Sequence, residues 1–183
     1  MKKLISIIKT LAIIIVMVFA ISLFFWRYTS YNILRYNALI EKVGVFPKIN
    51  ELGDYDKLRF KYFHQRYFLF ADSKAYTLKV TYDDDEYKAM KQHLNIAYKY
   101  QKEPLSAIGY GNDIEPNSPK FELGSFTFRV LKNMEYGTLR YPKEIFIIGT
   151  SDKDNQVAFI YFRDFELDCI ESLPDFLIGY CGW

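Results

Sequence analysis

The sequence predicts an α+β fold, with an N-terminal transmembrane helix followed by one domain whose mainly antiparallel sheet packs against one or two helices. Three observations carry this. Residues 4–26 form an almost unbroken apolar run. Several later segments alternate apolar and polar side chains with a period of two and are joined by short turns, as antiparallel neighbours are. Between them lies one segment with apolar residues at helical spacing, so strands and helix segregate as in α+β domains.

The apolar run begins after Met1-Lys2-Lys3, and from Leu11 to Trp26 its only polar side chain is Ser22. As a helix, residues 4–26 would reach about 35 Å, enough for a bilayer core of about 30 Å. A single-pass signal-anchor helix is therefore expected, with the lipid bilayer as a partner through residues 4–26. Lys2, Lys3 and Lys9 precede it, whereas Arg27, Arg35 and Lys42 follow more thinly. The positive-inside tendency puts the N-terminus in the cytoplasm and the C-terminal domain outside, periplasmic or extracellular. Trp26, Tyr28 and Tyr31 suit the outer interface. The alternative is secretion after cleavage near Ser22, at Ala20-Ile21-Ser22, but Leu23-Phe24-Phe25-Trp26 carry the apolar run past that point. The expected organisation is a cytoplasmic stub and transmembrane helix over 1–26, a juxtamembrane helix and linker over 27–47, and an extracytoplasmic domain over 48–183.

Within 27–43, Ile33, Tyr36, Ile40 and Val43 recur at helical spacing, and Gly44 and Pro47 supply stop signals. Lys57 to Tyr62 alternates: Leu58, Phe60 and Tyr62 face one way, and Lys57, Arg59 and Lys61 the other. That pattern is a half-buried strand. Arg66 to Ala71 reads as a second strand and Asp72-Ser73-Lys74 as a turn. Tyr76, Leu78, Val80 and Tyr82, alternating with Thr77, Lys79 and Thr81, give a third strand. Tyr87, Met90, Leu94, Ala97 and Tyr98 make one apolar face of a helix over about 84–101. Residues 102–119, with Pro104, Pro116, Pro119, Gly109 and Gly111, read as a long loop. Phe121 to Leu131 is strand-like, with a shift of its apolar face across Gly124-Ser125 that a bulge would explain. Glu144 to Gly149 and Gln156 to Arg163 flank the turn residues 151–155 as a hairpin. Leu173 to Tyr180 forms a short helix ended by Gly182.

Charge narrows the range of functions. The chain has 24 Lys+Arg and 22 Asp+Glu; without Lys2, Lys3 and Lys9 it has 21 basic and 22 acidic groups, a net charge of −1. A nearly neutral domain offers no general electrostatic basis for binding nucleic acid. Aromatics are 19% of the chain, with 16 Tyr and 16 Phe. They are either a Tyr-rich binding surface or, beside the plentiful Ile, Asn and Lys, the product of AT-rich codons.

No motif rises to a reaction, and no catalytic residue, cofactor or metal site is assigned. His64 falls near a turn and His93 within the central helix, neither tied to a nucleophile. Asp83-Asp84-Asp85-Glu86 could gather a hard cation, but acids at a helix start are expected to cap amides. Asp152-Lys153-Asp154-Asn155 lacks the glycine and terminal glutamate of a calcium loop and reads as a hairpin turn. Asp164, Glu166 and Asp168, if extended, share one strand face at a spacing of about 6–7 Å. They could serve acid–base or metal chemistry, or form a solvated face. Lys57, Arg59, Lys61 and Arg66, among many aromatics, could hold an anionic partner or lipid headgroups. Cys169 and Cys181 could pair in an oxidising compartment, or remain two buried thiols.

The leading functional expectation is thus a membrane-anchored, non-catalytic protein-interaction module at the cell envelope, of which an immunity protein guarding against a toxin is one version. Its candidate binding residues are Asp164, Glu166, Asp168, Lys57, Arg59 and Lys61. The alternatives are an envelope enzyme using the acidic strand face or His64, and a subunit of a membrane assembly.

Overall fold

Long hairpins dominate the architecture. The computed structural model describes residues 2–67, 71–104, 118–132, 144–163 and 172–183. After helix α1 (Lys2–Phe24) come β1 (Phe25–Ser30) and α2 (Leu34–Val43). A 3-10 turn over Ile49–Glu51 leads into β2 (Lys57–Tyr67) and β3 (Ala71–Thr81), and α3 (Asp84–Ala97) follows. The second half holds β4 (Lys120–Leu123), β5 (Phe126–Val130), β6 (Glu144–Ser151) and β7 (Gln156–Arg163). It closes with α4 (Leu173–Phe176), which runs on as a π-helical turn over Leu177–Cys181. The strands form one sheet in the order β1-β2-β3-β7-β6-β5-β4, and every pairing is antiparallel. The sheet and its helices are the α+β part of the expected fold.

The transmembrane helix is not. Among the described residues no helix is long and apolar enough to cross a membrane, so the single-pass signal-anchor topology is not supported. The chain also leaves the helix at Phe24. Phe25 and Trp26, expected to complete the span, lie in edge strand β1, opposite Tyr67 and Arg66 of β2. Backbone pairing with a neighbouring strand wins over continuation of the helix. The same strand displaces the start of the helix expected over 27–43, which begins only at Leu34. Its end holds: Gly44, at φ +69°, closes it by donating to the Ile40 carbonyl, as left-handed glycine caps do.

Two further readings change. Residues 72–74 are not a turn but sit within β3, with Ser73 opposite Gln65 of β2. Both side chains are buried, and their polarity imitates a turn signal. Gly124-Ser125 is not a bulge but the two-residue turn of the β4–β5 hairpin, with Leu123 opposite Phe126. Gly124 takes the positive φ, +61°, that a type II′ hairpin requires at its first turn position. A chain reversal there puts Phe121, Leu123, Phe126 and Phe128 against one core.

Each sheet face buries its own cluster. On the helical face, Tyr36 and Ile40 of α2 and Tyr87 and Leu94 of α3 pack with Phe46 on Phe60, Leu78, Val80, Phe146 and Phe159. Asp83 caps α3 by accepting from the amides of Asp85 and Glu86 at 3.1 and 2.8 Å, the expected role of that acidic run. Tyr36, Tyr62, Tyr76, Tyr82, Tyr87 and Tyr161 belong to this core, whereas Tyr31 and Tyr55 are exposed. Tyr36, Tyr98 and Tyr82 donate their hydroxyls to the Pro47, Val45 and Leu52 carbonyls at 2.9, 3.1 and 3.1 Å, which pins the α2–β2 connection to the core. On the opposite face, Leu173, Phe176, Leu177 and Cys181 of the C-terminal segment cover Phe63, Phe126, Phe128, Ile147, Ile160 and Phe162. Helix α1 lies on neither face, and Ile15, Val16 and Phe19 are 65–66% exposed.

Candidate functional site

The C-terminal segment does not cover its whole face, and the gap it leaves at the β2–β3 end is a pocket. Strand alternation supplies the lining. Arg59 and Lys61 of β2 point to this face because Phe60 and Tyr62 are buried on the other. Register then sets Lys79 opposite Arg59, and Thr77 opposite Lys61. Cys181 and Gly182 wall one side, and Tyr31, just past β1, also lines the cavity, whose volume is about 440 Å³.

Three cations, Arg59, Lys61 and Lys79, meet here, and among the described residues no carboxylate side chain lines the pocket. Among the described residues none of the three is held in an ion pair. Like charges directly opposed across strands destabilise a sheet, so the Arg59–Lys79 pair is a cost that the fold carries. Burial lowers the pKa of the Lys79 ammonium, Arg59 lowers it further, and Asp154 opposes both. The ammonium stands 3.6 Å from the centroid of the Trp183 ring, a cation–π contact that holds it at the pocket wall. Thr77, 4% exposed, has a buried hydroxyl with no hydrogen-bond partner. It lies against the Cys181 thiol, on whose pKa it acts, and it can turn its proton to an entering acceptor. Burial pushes the Cys181 thiol up to about 12, against the pull of Thr77 and Lys61, so it is not a nucleophile at neutral pH.

Arg59 and Lys61 of the sequence-derived candidates are thus brought together. Lys57 lies on the same strand face but does not line the cavity. Asp164, Glu166, Asp168 and Cys169 lie outside the described residues; Cys181 is a free buried thiol. His93 is exposed on α3, and His64 rests against the Tyr62 ring, centroids 6.2 Å apart. Lys79 and Thr77 were absent from the candidates. Their alternation was legible, but only the hairpin register puts a lysine on β3 opposite an arginine on β2. Among the described residues, no group of three or more His, Cys, Asp or Glu is placed to hold a metal ion.

No protein-family model matches the chain, and neither a curated protein nor a solved structure matches it.

Proposed function

We propose that the chain is a non-catalytic protein-interaction module that takes an acidic group of its partner into the pocket between β2, β3 and the C-terminal turn. The observation that carries this reading is the convergence of Arg59, Lys61 and Lys79 in a cavity that, among the described residues, no carboxylate lines. An acidic side chain entering there offsets the Arg59–Lys79 repulsion and offers the Thr77 hydroxyl an acceptor. Charge-assisted bonds of this kind are the stronger class of hydrogen bond.

Titration calorimetry with glutamate-rich peptides and their glutamine counterparts tests it. The expected result is binding of the acidic peptides only, weakening as salt rises, and lost in Arg59→Gln/Lys79→Gln. Equal behaviour of the two peptide sets would overturn the reading.

A second reading, a subunit of a larger assembly that covers α1, is favoured by the apolar side chains of that helix, exposed on all sides. A helix apolar all round is ordinarily buried. Light scattering of the full chain and of Ile14→Glu/Val18→Glu tests it. A fall in assembly size is expected in the variant, and an unchanged monomer in both would overturn it.

A further inference from the structure

We infer that a second and separate pocket, on the helical face at the β4–β6 end, is a binding site for a phosphate monoester group of a small polar molecule. It is independent of the acidic-partner site, with which it shares no lining residue.

The pocket arises where α3 ends short of the sheet edge. Phe126, Phe128 and Val130 of β5 are buried in the core of the opposite face, so Thr127 and Arg129 point to the α3 side. Thr127 lies directly opposite Thr150 of β6. Lys120 of β4 and Lys153 of the β6–β7 turn complete the donors around a cavity of about 330 Å³, which Ser125 of the hairpin turn also lines. Lys91, Asn95 and Asp152 are its remaining lining residues.

The charge balance favours an anion. The one lining acid, Asp152, is already engaged. Its Oδ1 accepts from Lys91 Nζ and from the Tyr87 hydroxyl, both at 2.5 Å, and its Oδ2 accepts from Lys91 at 2.7 Å. Those bonds, Lys91 first, hold its carboxyl below the usual carboxylate range. Asp154, in the same turn, is turned to the Ser151 and Ser125 hydroxyls. Among the described residues Lys120 and Arg129 form no ion pair, and Lys153 feels only the charge of Asp154 beside it in the turn.

The donors are also set in place. The Arg129 guanidinium carbon lies 3.6 Å from the centroid of the Tyr100 ring, and its Nη2 donates to Asn95 Oδ1 at 2.5 Å. A guanidinium stacked and tethered in this way loses little freedom on binding, and its remaining N–H groups suit the paired oxygens of a phosphate. Hydroxyls of Thr127 and Thr150 on the floor add neutral donors, which a tetrahedral oxyanion with several acceptor oxygens can use together. The other pocket differs: Tyr31, Leu58 and Phe60 give it more apolar walls, and it suits a planar carboxylate on an apolar stem.

The test is an amide NMR titration of the full chain with inorganic phosphate and, separately, with glycerol phosphate. Both should shift Thr127, Arg129 and Thr150, whereas chloride at equal ionic strength should not. Affinity should fall at least tenfold in Arg129→Gln and in Lys120→Gln/Lys153→Gln, and stay unchanged in Arg59→Gln/Lys79→Gln. Lys120 and Lys153 are exposed, so their double variant keeps the test decisive even if Arg129→Gln does not fold. Shifts with chloride as large as with phosphate would overturn the proposal. So would phosphate binding that survives the Lys120/Lys153 change, or that is lost only with Arg59 and Lys79. The acidic-peptide titration reads the other pocket, so either site can fail alone.

Discussion

The two faces of the sheet are closed by different means, and over β2 and β3 only one closure is complete. On the helical face, Phe46 makes edge contacts with Tyr76, Tyr98, Phe146 and Phe159 at centroid distances of 5.3–6.4 Å. Tyrosine hydroxyls there bond to carbonyls of the α2–β2 connection, so that core is both packed and tied. Burial raises the Tyr36, Tyr82 and Tyr98 hydroxyls above their ordinary pKa, Tyr98 to about 12, and they remain donors throughout the physiological range. On the other face the cover is a short helix and one π-helical turn, and the aromatic rings are mostly phenylalanines. Phe128 stacks on Phe121 and Phe126 at 5.3 and 5.5 Å and meets Trp183 edge-on at 5.0 Å. That cover stops at Cys181–Trp183, and the cations of β2 and β3 begin there. Over β2 and β3, completeness of cover thus separates a packed face from one with room for a ligand, while the helical face opens at the β4–β6 edge instead.

Removing Phe46 should break the closed face most severely. It is 4% exposed and sits where α2, α3 and the sheet converge. Phe46→Ala should cost about 3–5 kcal/mol, read as a shift in the urea midpoint. A loss under about 1 kcal/mol would mean that this face repacks easily and that the contrast is misplaced.

The corresponding change on the open face is Gly149→Ala. Gly149 lies opposite Phe128, and a Cβ there would meet Phe128 Cε1 and Cδ1 at 2.4 and 2.6 Å. The ring is held by Phe121, Phe126 and Trp183 and has little room to withdraw. Overpacking of this kind costs about 1–3 kcal/mol. If the variant is as stable as the parent, the aromatic stack on this face is looser than its geometry implies.

Arg59→Gln/Lys79→Gln sharpens the comparison because its two effects have opposite sign. Relief of the cross-strand repulsion should leave stability unchanged or raise it by up to about 1 kcal/mol, while binding of acidic peptides is lost. A variant that is clearly less stable would show that the pair serves the fold rather than a ligand.

Strand periodicity explains how much of this was legible. The opposite faces of Leu58-Phe60-Tyr62 and Lys57-Arg59-Lys61 follow from alternation alone, as does the hairpin around 151–155. Asp83 capping α3 follows from local chemistry. Tertiary pairing decided the rest. Phe25 and Trp26 read as more of the apolar run because nothing near them in sequence announces an edge strand; their partners, Tyr67 and Arg66, are some forty residues away. Ser73 and Gln65 carry turn-like polarity and are buried against one another across two strands. Half of the basic pocket was visible as a charged strand face. The other half needed the β2–β3 register and the path of the C-terminus, neither of which local pattern encodes.

The smallest effect is expected from the ion pair that ties α3 to the β6–β7 turn on the closed face. Asp152 is held below the usual carboxylate range by Lys91 and then by Tyr87. With the folded pKa depressed, its stabilisation is present above the unfolded value of about 3.9 and is lost as pH falls through the folded one. The pair is largely exposed, its side chains 39% and 70% accessible, so its contribution should be below about 1 kcal/mol and weaken with salt. Asp152→Asn should therefore lower the urea midpoint slightly near neutral pH, and parent and variant should converge in acid. A gap that persists in acid would assign the stabilisation to the Tyr87 hydrogen bond, which an asparagine oxygen can still accept only in one orientation. In that case the tie of α3 to the β6–β7 turn would rest on a neutral bond, like those of Tyr36, Tyr82 and Tyr98.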